Sequence, residues 1–147
     1  MVSHLPPARH LLRAKDLADA RYAEPLTVAD LAEAARLSPA HFSREFRRAF
    51  GAAPHQYLLT RRLERAAALL RQSDWSVLRI CLAVGLSSVG SFTTSFRRIY
   101  GQTPTAYRAS FPPASALARV PRCIVQAYAL PQHRTFREDA APAPGQD

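Results

Sequence analysis

Apolar positions fall at helical spacing over most of the first 110 residues, and polar breaks cut them into segments. A first helix is expected from about Ala8 to Tyr22, with Leu11, Leu12, Leu17 and Ala18 roughly on one face. Thr27 followed by Asp30 forms a capping box that starts a second helix, through about Ala35. Ser38 and Pro39 supply an N-cap and a first helical position for a third. Phe42, Phe46 and Phe50 then recur every fourth residue, a stripe on one face that ends at Gly51. Pro54 opens a long helix to about Gln72, with Leu63, Ala66, Ala67 and Leu70 facing inward. Ser76 starts a fifth helix, which Gly85 breaks. Ser87 and Ser88 start a sixth, carrying Phe92, Phe96 and Tyr100 and closed by Gly101. Pro104 opens a short seventh helix to about Ala109. Trp75 and the aromatic stripes are expected in the core. The fold class that follows is all-α, with Phe111-Pro112-Pro113 ending the domain.

This pattern is written twice. Val28, Leu31 and Leu37 recur 49 positions later as Val77, Ile80 and Leu86. Phe42, Phe46, Phe50, Gly51, Pro54 and Tyr57 recur 50 positions later as Phe92, Phe96, Tyr100, Gly101, Pro104 and Tyr107. The offset changes once, so the second copy has one extra residue after its turn. Two copies are too few for a solenoid. Each copy is a short helix, a tight turn and a second helix with a buried stripe, which is the helix-turn-helix unit whose second helix enters the major groove. Two such units on one linker helix read two half-sites without a dimer. Their targets are expected about one helical turn apart, ~10–10.5 bp. If the linker holds the units closer, the DNA must bend, at on the order of 1–6 kcal/mol.

Charge agrees with this. The 147 residues carry a formal net charge of +9, and residues 1–111 hold 16 Lys/Arg against 8 Asp/Glu. A polyanionic partner follows, nucleic acid ahead of a membrane surface. All basic residues except Lys15 are arginine, which pairs bidentately with phosphate or a guanine edge, although a high-GC genome produces the same bias. No apolar run approaches a membrane span, and the N-terminus has no signal layout. The expected setting is the cytoplasm.

The two Phe-Arg-Arg-x-[Phe/Tyr]-Gly-x-x-Pro segments, and the run from Ile80 through Val84-Gly85-Leu86 to Pro104-x-x-Tyr107-Arg108, resemble the DNA-binding domain of the AraC/XylS transcription regulators. The resemblance implies a seven-helix tandem helix-turn-helix domain over 8–110, with units at 26–51 and 75–101 joined by a linker helix at 54–72. A tail, 111–147, is expected to be partly disordered. No arm for an effector accompanies the domain in this sequence, so a small stand-alone member is expected. Carried over position by position, the base-contacting residues are Ala40, Ser43, Arg44 and Arg47 in the first unit. In the second they are Val89, Gly90, Ser91, Thr93 and Thr94, shorter than is usual in the family. The phosphate contacts fall to Ser38, Arg48, Arg61, Arg62, Ser88, Arg97 and Arg98, with Arg47 able to serve in either set. Arg44 is the strongest base-reading candidate, since Arg on a guanine edge discriminates by ~1–3 kcal/mol. The first unit is therefore expected to carry most discrimination, and the second to anchor.

Enzymatic chemistry is not expected. The sequence has no phosphate-binding loop, dinucleotide fingerprint, nucleophile elbow or metal-ligand cluster, and no cofactor is implied. Cys81 sits among apolar neighbours as a core residue. Cys123 and His133 together fall short of the four ligands of structural zinc. The segment from Val120 to Leu130 is expected to be extended, and the end after Asp139 disordered. The expectation is a monomeric, sequence-specific DNA-binding regulator, an activator by analogy with small family members, with RNA polymerase as a partner. The competing reading is an architectural, nonspecific nucleic-acid binder.

Overall fold

The computed structural model describes residues 7–114. The expected segment from Val120 to Leu130, the chain end after Asp139 and Cys123 lie outside these residues. Seven helices follow one another among the described residues: α1 (Arg9–Ala20), α2 (Val28–Ala34), α3 (Pro39–Phe50), α4 (Pro54–Gln72), α5 (Val77–Ala83), α6 (Val89–Tyr100) and α7 (Pro104–Ala109). The chain divides into two units between Arg61 and Arg62, a break that falls within α4.

Five of the seven described helices start on a side-chain cap that the sequence places there. Thr27 Oγ1 accepts the Asp30 N–H at 3.1 Å, and the Asp30 carboxylate accepts the Thr27 N–H at 2.8 Å. Ser38, Ser76, Ser88 and Thr103 each accept the backbone N–H three residues on, at 3.3, 3.1, 3.2 and 3.2 Å. Each bond satisfies one of the donors a helix start leaves open.

The turns inside the two copies share one closure. In the first, the Leu37 N–H donates to Ala32 O at 3.0 Å and the Arg36 N–H to Glu33 O at 2.9 Å. In the second, the Leu86 N–H donates to Cys81 O at 3.0 Å and the Gly85 N–H to Leu82 O at 3.1 Å. This paired pattern closes a helix through one left-handed residue. Gly85 takes that conformation at φ 86°, and Arg36 takes it at φ 56°. The sequence marks the second turn with a glycine and hides the first under an arginine.

In unit 1, α1 packs on α2 and α3, and Phe46 is fully buried. Its ring lies 5.4 Å from Phe42, 4.6 Å from Phe50 and 5.5 Å from Tyr57. In unit 2, α6 packs on α5 and α7. Phe96 repeats the cluster, 5.7 Å from Phe92, 4.5 Å from Tyr100 and 5.3 Å from Tyr107. Phe50, Tyr100 and Trp75, expected in the core, are only half-buried: Phe50 and Tyr100 are the last residues of their stripes, and the Trp75 ring lies under the Arg79 guanidinium, 3.7 Å from the ring centroid. One face differs from expectation. Leu11, Ala14 and Ala18 are the buried apolar positions of α1, while Leu12 is 37% exposed and Leu17 half-buried. Steps of three and four from Leu11 lead to Ala14 and Ala18, so small residues hold the inner face.

Two outcomes are expected. An arginine in left-handed geometry costs about 1–2 kcal/mol, so Arg36→Gly should raise stability in urea unfolding by about 1 kcal/mol, while Gly85→Ala lowers it by a similar amount. Separately, the Thr27 backbone N–H, and then its hydroxyl, hold the Asp30 carboxyl below its ordinary range. A lowered folded value means a contribution complete above the unfolded carboxylate range and lost as pH falls through the folded value. The stability difference between the wild-type chain and Asp30→Asn should therefore shrink on acidification, read by urea unfolding from about pH 7 to pH 3.

Candidate nucleic-acid interface

α3 and α6 are both twelve residues long, are closed by left-handed glycines at φ 78° and 76°, and carry two arginines in their last turn. Residues 41–54 and 91–104 also share, position for position, the same sequence of buried, half-buried and exposed classes. Each helix therefore buries two phenylalanines and turns the same set of positions to solvent.

On α3, Ala40, Arg44, Arg47 and Arg48 are exposed and Ser43 is half-buried. On α6, Gly90, Ser91, Thr94, Arg97 and Arg98 are exposed, and Val89 and Thr93 are half-buried. Ser38 and Ser88 are exposed at the helix starts, each with its hydroxyl oxygen holding a backbone N–H. The basic ends suit a polyanion, and nearly every named position on these two helices is open to a partner. The chemistry of the two helices differs. Arg44 is a long charged side chain on α3, and its counterpart Thr94 donates its hydroxyl back to Gly90 O at 3.0 Å.

The linker arginines stand elsewhere. Arg61 Nε lies 3.0 Å from Asp19 Oδ1, and its side chain is 27% exposed. Asp19 is itself buried, and also accepts from Tyr57 Oη at 2.5 Å and Lys15 Nζ at 3.1 Å. Arg61 thus serves as a counter-charge inside unit 1. Arg62 is half-buried, and burial lowers its guanidinium from the ordinary value.

Two side chains on α3 escaped the sequence reading. His41 is exposed, with Nε2 3.8 Å from Glu45 Oε1, and Arg48 Nη1 donates to the same oxygen at 3.3 Å. Steps of three and four along α3 from Arg44 and Arg48 were the available signal. Arg108, at the end of the second copy, donates to Leu70 O at 3.1 Å and Trp75 O at 2.6 Å. It fastens α7 to the end of α4 and the turn beyond.

Cys81 is fully buried on α5. No group of three or more His, Cys, Asp or Glu side chains is placed to hold a metal among the described residues. No described helix is long and apolar enough to cross a membrane. Although the sequence shows no effector pocket, an open groove of about 480 Å³ lies in unit 1, lined by Leu17, Pro25 and Leu26 among others. Two of its carboxylates are engaged, Glu24 with Arg21 and Asp30 in its capping box.

A model of a helix-turn-helix domain matches residues 31–110, more than half the chain. The chain belongs to the AraC-type helix-turn-helix family. It is 36% identical over 83 residues to the probable transcriptional regulator LumQ of Photobacterium leiognathi, covering 56% of this chain and 34% of that protein. It is 31% identical over 122 residues to the right origin-binding protein of Escherichia coli K12, covering 83% of this chain and 42% of that one. The second match is longer than the described span 7–114, so the similarity runs beyond the seven helices. The chain thus spans less than half the length of either relative. Among solved structures, the DNA-binding domain of AdpA in complex with a target DNA is 35% identical at a TM-score of 0.65, covering 80% of this chain and 99% of that one. The C-terminal domain of AraT, a response regulator from Geobacillus stearothermophilus, is 27% identical at a TM-score of 0.67, covering 71% and 87%.

One prediction concerns Asp19. Replacing it with Ala leaves the Arg61 guanidinium and the Tyr57 hydroxyl without this acceptor, a loss on the order of 2 kcal/mol for hydrogen bonds to a charged group. Urea unfolding of Asp19→Ala should show that loss, and Arg61→Ala a similar one.

Proposed function

We propose that this AraC-type chain is a sequence-specific DNA-binding transcription regulator that sets α3 and α6 into successive major grooves of a bipartite site. The observation that carries this is the matched burial of the two helices: each buries its phenylalanines and exposes the same register, with arginines at the last turn. The AdpA DNA-binding domain, solved in complex with a target DNA, supports the same use of this fold.

Discrimination falls mainly to α3. Arg44 reaches a guanine edge through two hydrogen bonds, while Thr94 offers one hydroxyl that is already bonded to its own helix. Affinity is shared more evenly, because Arg47 and Arg48 on α3 recur as Arg97 and Arg98 on α6 and meet phosphate on either unit.

Selection of bound duplexes from a randomised library at physiological salt should yield two sequence blocks centred about one turn apart, ~10–10.5 bp. Arg44→Ala should relax one block while the other persists. If Arg44→Ala leaves the selected site unchanged and Thr94→Ala abolishes it, the roles of the two units are reversed. Affinity should fall with salt, and Arg98→Ala should flatten the log–log slope by about 0.9, one phosphate contact. Arg61→Ala, an internal counter-charge, should leave that slope unchanged.

The similarity to a relative named as a right origin-binding protein favours a second reading, an architectural DNA-binding role. Tight binding that enriches no sequence would establish it in place of the first.

A further inference from the structure

Three glycines among the described residues are required by the backbone. Gly51, Gly85 and Gly101 stand at φ 78°, 86° and 76°, where a side chain brings strain. Gly90 is different. It is the second residue of α6, its φ is not positive, and a methyl group there would meet nothing nearer than Ser88 Oγ, at 3.8 Å, an ordinary contact. A glycine within a helix lowers its stability relative to alanine. The matching position of α3, Ala40, carries that methyl on an equally exposed site. The fold therefore has room for a side chain at position 90 and loses stability by lacking one.

The reason for the glycine lies outside the folded chain, on the face that α6 shows to its partner. Gly90 is exposed there, one helical turn from Thr94, whose hydroxyl is drawn back onto Gly90 O at 3.0 Å. The missing side chain of Gly90 lowers the surface at this point by the size of a methyl group, while the Thr94 hydroxyl is engaged within its own helix. In the major groove, thymine is the base that projects a methyl group, from C5.

We propose that Gly90 is a specificity-determining residue of the second reading helix, and that its bare Cα receives the C5-methyl of a thymine. The inference rests on the DNA-binding reading above. A methyl group is then present once in this contact, on the base, and an alanine at position 90 supplies a second one that collides with it.

The test moves the methyl between protein and DNA. The probe is the duplex selected by the wild-type chain from a randomised library, prepared also with uracil in place of each thymine of the block that Arg44→Ala leaves intact. Gly90→Ala should melt about 4 °C higher than the wild-type chain, yet bind the thymine duplex at least about tenfold more weakly. On the uracil duplex the order should change, with the wild-type chain losing several-fold and Gly90→Ala recovering most of its loss. Gly90→Ser, which adds a hydroxymethyl, should behave as Gly90→Ala does on the thymine duplex. Equal binding of both duplexes by Gly90→Ala, a selected block without thymine, or a lower melting temperature for Gly90→Ala would each overturn the inference and leave the bipartite reading standing. A wild-type chain that enriches no sequence at all would remove both.

Discussion

The burial of one phenylalanine ring in each unit is the constraint on which the interface depends. Phe46 and Phe96 are fully buried, and each touches two rings of its own helix and a tyrosine of the helix that follows. An aromatic ring of this kind carries a large share of a small core's burial energy. Fixing it fixes the rotation of the whole helix about its axis. Once Phe46 points inward, Arg44, Arg47 and Arg48 have no choice but to point outward. The exposed face is thus set by packing on the opposite side of the helix, and its positions are free to vary without disturbing the fold.

That separation explains which features were legible in the sequence. Helix starts, the two aromatic stripes and the inner face of α4 are local or periodic, and Thr27, Ser38, Ser88, Phe42, Phe92, Leu63 and Leu70 announced them correctly. The features that escaped depend on what meets what across the fold. Asp19 and Arg61 are far apart in sequence and become partners only when α1 and α4 are in place. Arg61 therefore looked like any exposed linker arginine. Arg36 hid a left-handed turn because composition signals such a turn through glycine, and here a neighbouring hydrogen-bond pair holds an arginine in that geometry. Leu11 and Ala18 are inward as their spacing indicates, but hydrophobicity alone also points Leu12 inward, and the close packing of α1 buries Ala14 in its place. The candidate interface was legible as a set of exposed positions, since periodicity gives exposure. What those positions touch is a property of the partner.

The two units are alike in their cores and unlike in how they are fastened. Unit 1 closes on a buried carboxylate, with Asp19 taking hydrogen bonds from Tyr57 and Lys15 beside its ion pair with Arg61. Unit 2 has an arginine in the corresponding task, with Arg108 donating to two backbone carbonyls, those of Leu70 and Trp75. Tyr107, the counterpart of Tyr57, packs there against Phe111 at 4.9 Å. A carboxylate clasp needs its cations to remain in place, so removing one partner leaves a buried charge exposed to the desolvation cost. A guanidinium bonded to carbonyls satisfies backbone acceptors at a helix end and needs no counter-ion nearby. The same aromatic core is therefore held by two different kinds of polar bond.

Duplication gives such a fold a useful division of labour. Copying the phenylalanines, capping serines and closing glycines preserves two stable units, because those residues face inward or shape the backbone. The exposed positions carry no such obligation. Across the two copies the arginine pairs persist, while Arg44 becomes Thr94 and Ala40 becomes Gly90. Phosphate contact is the same along any duplex, so a residue that meets phosphate is useful in both copies unchanged. Base contact differs from one half-site to the next, so the positions that read bases are those where the copies have reason to diverge. On the proposed reading, the pattern of what was kept and what changed between α3 and α6 follows from the difference between a uniform backbone and a variable sequence.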